Sequence, residues 1–558
     1  MHLAKRNKIN VLFINLPYLP YDTILEKIRN EDKIAHRLEM PLGILYLSAY
    51  LKKHNHLCDI RLLDYSLHID DIRTYSNIDN FIKSLAKKVD FVPDILAFSA
   101  MFSTSHRFFV ETLDILKSLW PKVTTIAGGN HATNAVGKLL ELENLDYVAI
   151  GEAEASFSEF VSQIAASKQI NIKGIYAKKD IHSAASFSSP GYIEDLDSLP
   201  FPDWDLLNMA AYINSKGRKR NIGESKESRC ATIMTSRGCP FCCTFCAAHT
   251  VHGRRVRYRS VENILEEVKL LYRAYEITLF IPEDDMFTQD KQRTLNLLSA
   301  FKELNIPGLE LQFPNALSIN TLSEEVLDAL INSGMKVACL AIESGSEYVQ
   351  KNVIKKNCNL KKAKEYVEYL GDKGTIVRCY YILGFPGETK EQMMETVEYA
   401  KYLNADWSVF SIATPLLGSE MYNQFLQMGC ITGELYWGVN ASYAKRNFDT
   451  KEITAEELNA FAYQANIDVN FIHNPNIVNG NFTRAIEIFN DIVIHFPFHI
   501  IAWHCLMRCY QGLGDIEKAK EITRKIAVLI NSDKRSAEMF AKYGRLLPES
   551  SGEELLRI

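Results

Sequence analysis

The sequence predicts an α/β protein made of two successive β/α units and an all-helical C-terminal region. Three observations predict this class. Short β-rich runs alternate with helical patterns over residues 8–165, the alternation resumes with different loops over residues 230–430, and strand patterns then vanish over residues 431–558. Because a chain of 558 residues is too long for one core, we expect three or four separately packed units.

The first unit, residues 8–165, contains five β-rich runs separated by segments with apolar residues at helical spacing. This spacing is clearest over residues 42–51 and 108–119. The five runs are residues 11–14, 60–63, 95–98, 123–126 and 147–150. Strands joined by crossover helices form a parallel, doubly wound sheet, whose ligands bind beyond the carboxyl ends of the strands. We therefore expect a ligand site at that edge.

A connector, residues 166–229, precedes the second unit, because neither periodicity continues there and Pro200 and Pro202 favour extended backbone. The second unit, residues 230–430, has six strand runs with helical patterns between them. The runs are residues 231–234, 278–281, 309–313, 337–342, 377–383 and 408–412. A capping box from Thr321 to Glu324 begins one helix, and Gly334 ends it. Six such units predict a partial (β/α)6 barrel, with its functional groups at the C-terminal ends of the strands.

The helical C-terminal unit, residues 431–558, contains an internal repeat. The pattern of residues 480–485 recurs at residues 514–519, an offset of 34 residues, which is the period of tetratricopeptide helix pairs. Two such units are too few for a free-standing solenoid. We therefore expect a tetratricopeptide-like unit that docks on the barrel.

Composition and charge exclude several classes of protein. The 63 Lys and Arg nearly balance the 68 Asp and Glu, for a net charge of −5, so we expect no nucleic-acid partner. The basic run at residues 254–259 fits either a solvated face or a contact with cofactor phosphates or carboxylates. The N-terminus lacks the apolar run of a signal peptide, and no apolar window is long enough to span a membrane. Together with twelve scattered cysteines, this composition predicts a cytoplasmic protein.

One loop contains the candidate metal-binding cysteines of the chain. Cys239, Cys243 and Cys246 stand in a C-x3-C-x2-C spacing directly after the first predicted barrel strand. A zinc site needs four ligands, usually from two distant pairs, and ferredoxin loops use other spacings. A cubane 4Fe-4S cluster held by three thiolates keeps one iron open for a ligand. We interpret Cys242, which lies inside the loop, as a non-ligand.

The loop from Thr235 to Cys246 resembles the motif of radical S-adenosylmethionine (SAM) enzymes. The resemblance implies that the open iron binds SAM and that the reduced cluster cleaves it to a 5′-deoxyadenosyl radical. It also implies roles for residues at the barrel strand ends: Glu343 and Ser344 on the polar parts of SAM, Phe245 at its adenine, and the Gly384 region along its backbone. Asn315, after the third strand, is a further candidate SAM contact.

Other barrel strand ends give weaker predictions. The acidic run Glu283, Asp284 and Asp285 follows the second strand, and a structural role for it is as well supported as a functional one. Tyr380 and Tyr381 are neighbours on one predicted strand and therefore point to opposite faces, so at most one lines the barrel interior.

The strand ends of the first unit resemble the cobalamin-binding, Rossmann-like domain that precedes the barrel in one radical SAM subfamily. Glycines there let backbone approach a bulky ligand closely. The candidate cobalamin contacts are Asn15, Ser99, Met101, Gly129, His131, Gly151 and Glu152. Because the Asp-x-His-x-x-Gly pattern of histidine-ligated cobalamin domains is absent from this half, we expect no histidine ligand on cobalt.

A 4Fe-4S cluster, SAM and cobalamin in one chain predict an enzyme that transfers a methyl group from methylcobalamin to an unactivated carbon of a small or peptidyl substrate. A flavodoxin or ferredoxin is the expected electron donor. Radical cyclisation, ring contraction and epimerisation are the alternatives, and an iron–sulfur interaction scaffold is the alternative from a different class. A methylthiotransferase is disfavoured, because the first unit offers only Cys58 for a second cluster.

Overall fold

The computed structural model describes residues 8–29, 38–55, 58–181, 187–214, 228–432 and 443–547. Parts of the predicted connector (182–186 and 215–227) and of the predicted C-terminal unit (433–442 and 548–558) lie outside these residues.

The first unit is a six-stranded sheet with strand order β2-β1-β3-β4-β5-β6. Its strands are β1 (Ile9–Asn15), β2 (Cys58–Asp64), β3 (Ile95–Ser99), β4 (Thr124–Gly128), β5 (Tyr147–Ala149) and β6 (Ile175–Ala177). The first five are parallel and confirm the predicted doubly wound sheet, whereas β6 pairs antiparallel with β5. The sequence analysis missed β6, because three residues inside a predicted connector carry no readable period. The sheet therefore extends past residue 165.

Helices cover both faces of this sheet. The longer ones are Tyr21–Arg29, Leu42–His54, Ile78–Ala86, His106–Leu119 and Glu154–Ala165, and short ones are Asn130–Asn134, Val136–Leu140 and Met209–Asn214. Buried strand residues alternate between two cores: Leu12 and Leu96 pack on one side, and Val11 and Ile95 on the other. Both faces are apolar because a parallel sheet is covered on both sides.

The second unit is a partial barrel made of two parallel sheets. Its strands are β7 (Cys230–Ile233), β10 (Leu279–Pro282), β11 (Glu310–Leu311), β12 (Leu317–Ser318), β13 (Val337–Glu343), β14 (Ile376–Leu383) and β15 (Trp407–Ile412). The sheets have the orders β11-β10-β7 and β12-β13-β14-β15. The helices are Val261–Tyr275, Lys291–Glu303, Glu324–Asn332, Leu360–Asp372, Lys390–Leu403 and Glu420–Gln427, with the short helix His249–His252 after the cysteine loop.

Two local predictions in the barrel need correction. The predicted third strand, residues 309–313, is shortened to β11. A further strand, β12, was not predicted: it follows a turn in which Ala316 has a φ of +69°, and it pairs with the other sheet. The helix after it is capped by Ser323, whose hydroxyl accepts from the backbone N–H of Val326, while Thr321 belongs to a preceding 3-10 turn. Gly334 does follow this helix, with a φ of +97°.

A small antiparallel hairpin encloses the cysteine loop. Its strands are β8 (Ser236–Arg237) and β9 (Arg257–Tyr258), which pair on either side of Cys239–Cys246. The two ends of the cysteine loop therefore lie side by side, joined by the pairing of β8 with β9.

The C-terminal unit is helical and packs on the open edge of the barrel. Its helices are Ala455–Ile467, Pro475–Val478, Phe482–His495, Ile500–Gly512, Ile516–Ser532 and Lys534–Tyr543. Asn470 donates to the carbonyl of Ser408 and accepts from its N–H, which satisfies the free edge of β15. Arg484, from the first copy of the predicted repeat, forms a forked ion pair with Asp406. The tetratricopeptide-like character of this unit stays a prediction.

None of the described helices combines the length and the apolar composition needed to cross a membrane.

Candidate functional site

The start of the cysteine loop is fixed by the acidic run after β10. Asp284 is buried and accepts from Thr235 N (2.7 Å), Thr235 Oγ1 (2.5 Å) and Ser236 Oγ (2.6 Å). Asp285 accepts from the N–H of Gly238 at 3.1 Å. These two carboxylates therefore hold the loop in place. Of the two roles predicted for the acidic run, structural and functional, these contacts support the structural one.

Gly238 makes the sharp entry into the loop possible. Its φ is +100°, and a Cβ at this position would lie 2.3 Å from the carbonyl oxygen of Arg255 on the returning chain. A side chain here would force the two ends of the loop apart.

The three predicted cluster ligands lie together in this loop, half-buried and free of disulfides. Burial is the main cause that raises the pKa of Cys239 to about 11 and of Cys243 to about 12, and it also raises the pKa of Cys246. A negative charge on Cys246 also raises the pKa of Cys239 and of Cys243, and one on Cys239 raises the pKa of Cys243. Metal ions displace such protons, since the thiolate is the ligand.

The donor set, three half-buried thiols in one loop, is compatible with a 4Fe-4S cluster. In the part of the chain that the structure describes, no three His, Cys, Asp or Glu side chains are close enough to share one metal ion. A cubane needs no such convergence, because each thiolate binds a different iron. Cys242 differs from the other three cysteines: it is exposed, and its sulfur accepts from Arg254 at 3.2 Å. This supports its interpretation as a non-ligand.

Lys356 is a charged residue at the site that the sequence analysis missed. Its side chain is 12% exposed, and its ammonium donates to Glu343 Oε1 at 2.7 Å. Burial acts to lower its pKa, but the carboxylate of Glu343 leaves the pKa raised overall. Its charge also acts on all three loop cysteines. Lys356 lies 110 residues or more from these cysteines in sequence, and no local pattern marks it.

Glu343 occupies a strained position at the carboxyl end of β13. Its φ is +68°, and the register of β13 against β14 shifts between Ala341 and Glu343. Left-handed backbone at a non-glycine residue is costly and persists only where the surroundings fix it. Here the buried amide of Gln350 donates to the carbonyls of Ile342 (2.7 Å) and Ser344 (2.6 Å), on either side of Glu343. This arrangement holds the Glu343 carboxylate beside Lys356.

Ser344 lies next to Glu343 but is fully buried. Its hydroxyl is 3.0 Å from that of Thr396 and accepts from the N–H of Ser346. The side chain therefore helps to pack the turn against the helix Lys390–Leu403, and its predicted contact with SAM stays a prediction.

Phe245 and the Gly384 loop lie together, as the predicted SAM contacts require. The ring of Phe245 is 5.9 Å from that of Phe385, centroid to centroid. Gly384 has a φ of +83°, and a Cβ there would lie 2.5 Å from the side chain of Leu458. The carboxyl group of Glu388 accepts from the N–H groups of Gly384 (2.6 Å) and Phe385 (2.9 Å). These hydrogen bonds join the two ends of the loop from Gly384 to Glu388.

Burial raises the pKa of Glu388 to about 8, against 4.5 for an exposed glutamate. The stability that the protonated form contributes is fully present below pH 4.5 and is lost as the pH rises through 8. Glu388→Gln keeps the acceptor and stays neutral. We expect the Tm of the wild type, relative to this variant, to fall between pH 6.5 and pH 9 in scanning fluorimetry. The exposed Glu391→Gln serves as the control. Parallel curves for the wild type and Glu388→Gln would contradict the prediction.

The structure also shows where Asn315 lies and which of Tyr380 and Tyr381 faces the barrel interior. Asn315 is exposed and donates to Glu283 at 2.5 Å, at the carboxyl ends of β10 and β11. Tyr381 is fully buried among the residues that pack against the barrel helices, whereas Tyr380 is half-buried with its hydroxyl 3.4 Å from the sulfur of Cys339. Tyr380 is therefore the one of the pair that faces the barrel interior.

The candidate cobalamin contacts lie along one edge of the first sheet. Asn15 is buried at the end of β1 and donates to Asp64, which in turn accepts from Tyr212. Ser99 ends β3 half-buried, and Met101, two residues later, is exposed. Of these side chains, Met101 is the most exposed and Asn15 the most buried.

His131 lies at the same edge but is buried inside a hydrogen-bonded chain. Its Nδ1 is 2.9 Å from Ser103 Oγ, and its Nε2 is 3.0 Å from His106 Nδ1. Burial lowers the pKa of His131 to about 3 and that of His106 to about 4. Both imidazoles are therefore neutral near pH 7. Gly151, at the end of β5, has a φ of +66° and accepts no Cβ, because Ser189 Oγ would be 2.6 Å away.

Gly129 carries the closest backbone approach at this edge. Its φ is +106°, and a Cβ would lie 2.8 Å from the carbonyl oxygen of Ala100. We expect Gly129→Ala to displace the loops after β3 and β4 and to lower retention of corrin absorbance after desalting by ~10-fold. Gly43→Ala is the control, since Gly43 lies in a helix with open space around it and alanine favours the helix. Equal corrin retention in both variants would contradict the predicted contact.

Glu152 has a different environment from the one the sequence suggested. Its side chain is 1% exposed and binds Arg257 through both oxygens, at 2.5 and 2.8 Å, and His252 at 3.0 Å. Burial alone would raise the pKa of Glu152, but Arg257, His252 and Arg237 hold it well below its usual range. Arg257 and Arg259, which pairs with Glu267, are buried, so a solvated face is the wrong interpretation of these two arginines.

The carboxyl ends of the first sheet thus face the cysteine loop of the barrel. Besides the contacts of Glu152, Asn134 donates to Thr250 at 2.9 Å, just beyond the loop. Phe385 and Leu417 of the barrel belong to the same buried core as Phe98 of β3, and Phe245 packs against that core. The candidate corrin edge and the candidate cluster loop therefore meet at one interface.

Known proteins are similar to this chain in both units. The model of the Radical SAM superfamily matches residues 233–400, and the model of the B12 binding domain matches residues 36–161. An uncharacterized methyltransferase of Pyrococcus horikoshii is 30% identical over 392 residues, which cover 68% of this chain and 77% of that protein. The chain belongs to the cobalamin-binding radical SAM enzymes.

Two further similarities agree with this family. Cytidylyl-2-hydroxyethylphosphonate methyltransferase of Streptomyces wedmorensis is 28% identical over 445 residues, or 71% of this chain and 80% of that protein. The structure of the cobalamin-dependent S-adenosylmethionine radical enzyme OxsB with aqua-cobalamin bound has a TM-score of 0.62 and 14% identity. The match covers 99% of this chain and 84% of that one, and it shows the fold.

The predicted fold class, the enzyme class and the three cofactors of this cobalamin-binding radical SAM enzyme are therefore confirmed: a 4Fe-4S cluster, SAM and cobalamin. Methyl transfer is the main interpretation of its reaction. The roles of individual residues remain predictions.

Proposed function

We propose that this enzyme transfers a methyl group to an unactivated carbon of a small or peptidyl substrate. The observation that carries the proposal is the meeting of the corrin edge and the cysteine loop at one interface, through Glu152, Arg257 and the pair Asn134–Thr250. When bound, the cluster and SAM supply a 5′-deoxyadenosyl radical that removes a hydrogen atom, and methylcobalamin supplies the methyl group.

The chain itself holds and shields these groups. In this proposal, Cys239, Cys243 and Cys246 would bind three irons, and Glu343, which is paired with Lys356, would contact the polar parts of SAM. Phe245, Asn315, Ser344 and Gly384 would contact SAM, and the edge from Asn15 to Gly151 would hold the corrin. The substrate lies in the barrel, where Tyr380 faces inward. Exclusion of water and fixed orientation are the main contributions of the protein to radical chemistry of this kind.

The proposal also covers the roles of the domains, the electron donor, the cellular location and the partners. Residues 8–165, 166–229, 230–430 and 431–558 act as cobalamin domain, connector, barrel and helical domain, with the boundary of the first displaced by β6. A flavodoxin or ferredoxin supplies electrons in the cytoplasm. No nucleic acid or membrane takes part, in keeping with the balanced charge.

The test uses the full chain, reconstituted anaerobically with iron, sulfide and hydroxocobalamin and then reduced. With SAM labelled as trideuteromethyl, we expect 5′-deoxyadenosine and S-adenosylhomocysteine, and one trideuteromethyl group on a substrate. The first probes are cytidylylated hydroxyalkylphosphonates, the compound class named for the Streptomyces relative, and then small peptides. Absence of 5′-deoxyadenosine from cluster-loaded protein would refute the radical reaction. A substrate product that has lost hydrogen without gaining the label would refute methyl transfer alone.

A further inference from the structure

A buried carboxylate at the corrin edge is bonded to both strands that enclose the cysteine loop. Glu152 follows β5 and binds the Arg257 guanidinium through both of its oxygens, and it lies 3.5 Å from Arg237. Arg257 belongs to β9 and Arg237 to β8, two residues before Cys239. One side chain of the first unit therefore reaches both ends of the cluster loop.

The neighbouring residues strengthen this connection. Glu154, two residues beyond Glu152, accepts from Arg237 at 2.7 Å, and the guanidinium of Arg237 also lies 5.2 Å from the ring centre of Tyr46 in the first unit. Two carboxylates thus face two guanidiniums, and all four side chains are at most 6% exposed. Charges that have left water must keep their partners, because an unpaired buried charge is strongly unfavourable. The two units are therefore held in one register.

These contacts occupy both carboxylate oxygens of Glu152. Oε1 accepts from Arg257 and lies 3.0 Å from His252 Nδ1, and Oε2 accepts from Arg257 and from the N–H of Ile193. A carboxylate with four polar neighbours and 1% exposure does not offer an oxygen to a corrin amide. The cobalamin contact that the sequence suggested for Glu152 is thus replaced by contacts to the barrel.

We propose that Glu152 is a positioning residue that fixes the corrin-binding edge against the iron–sulfur loop. This inference rests on the proposed function, in which a methyl donor on one side must meet a substrate radical formed on the other. Because such a meeting depends on sub-ångström alignment, register between the units controls whether the two half-reactions stay coupled.

The test measures register without needing a substrate. The holoenzyme, with cob(II)alamin and a reduced cluster, is examined by pulsed electron paramagnetic resonance for the magnetic coupling between the two centres. We expect one narrow coupling distribution for the wild type. Glu152→Gln should keep both cofactors at wild-type stoichiometry and broaden this distribution at least twofold. Arg257→Lys, which keeps the charge but loses the forked contact, should do the same.

Asp406→Asn is the matched control, since Asp406 is also a buried carboxylate in a forked pair, with Arg484, but joins the barrel to the C-terminal unit. It should leave the coupling unchanged. An unchanged distribution in Glu152→Gln and Arg257→Lys overturns the proposal. So does complete loss of corrin from both variants when circular dichroism shows an intact fold, because Glu152 would then belong to the corrin pocket itself. Failure of methyl transfer does not affect this readout, so the two proposals fail separately.

Discussion

Replacing Cys239, Cys243 or Cys246 by alanine should abolish SAM cleavage. Each of these thiolates is predicted to bind one iron of a cluster that already has one corner open, so its loss would leave the cluster with only two protein ligands. We expect iron content to fall from about four per chain to below about one in each variant. Formation of 5′-deoxyadenosine should fall by at least ~10³-fold, because no electron reaches SAM without the cluster.

The loop contains its own control for this experiment. Cys242 lies between two of the predicted ligands but is exposed, and it contacts Arg254 rather than the Lys356 side of the loop. Cys242→Ala should keep wild-type iron content, its ~400 nm absorbance and SAM cleavage. A stable cluster in Cys239→Ala together with loss of the cluster in Cys242→Ala would show that the ligand set is wrong.

Lys356→Met should make the bound cluster harder to reduce. The ammonium of Lys356 acts on all three cysteines, and its removal leaves the buried carboxylate of Glu343 without its partner. At a separation of ~7 Å and an effective dielectric constant of ~20, a unit charge contributes ~2 kcal/mol. For a one-electron couple this corresponds to ~100 mV. We therefore expect the midpoint potential to fall by roughly that amount in a redox titration followed by electron paramagnetic resonance.

The adjacent residue provides the matched control. Lys355 has the same charge but is half-exposed and pairs with Glu420, so Lys355→Met should move the potential by less than ~20 mV. Glu343→Gln removes the opposite charge and should raise the potential. If Lys356→Met and Lys355→Met have the same potential as the wild type, Lys356 does not act on the cluster.

Features that are local in the chain could be predicted from the sequence. Short β-rich runs marked the five parallel strands of the first sheet and six of the seven described barrel strands to within a few residues. The spacing of Cys239, Cys243 and Cys246 was enough to identify the cluster loop and, by resemblance, the family. Each of these signals lies within one element or one loop, where chain geometry fixes which side chains meet.

What could not be predicted concerns residues whose partners are far away in sequence. Glu152 was assigned to cobalamin because of its place after β5, and its ion pair with Arg257, 105 residues away, has no local signal. Arg257 and Arg259 were interpreted by local charge alone, and Lys356 and Gln350 were not noticed. The sequence does not show whether a polar side chain contacts solvent, a ligand or a buried partner. Burial in the folded structure decides which of these it contacts.

The sequence by itself determined that this chain holds an iron–sulfur cluster with an open corner inside a β/α barrel, because thiolate number and spacing and strand periodicity are properties of short segments. Only the tertiary structure decided which charges lie beside the cysteine loop and how the carboxyl edge of the first sheet is held against that loop. The reason is physical: buried ion pairs such as Glu152–Arg257 and Glu343–Lys356 form where distant segments exclude water together, and no single segment contains that information.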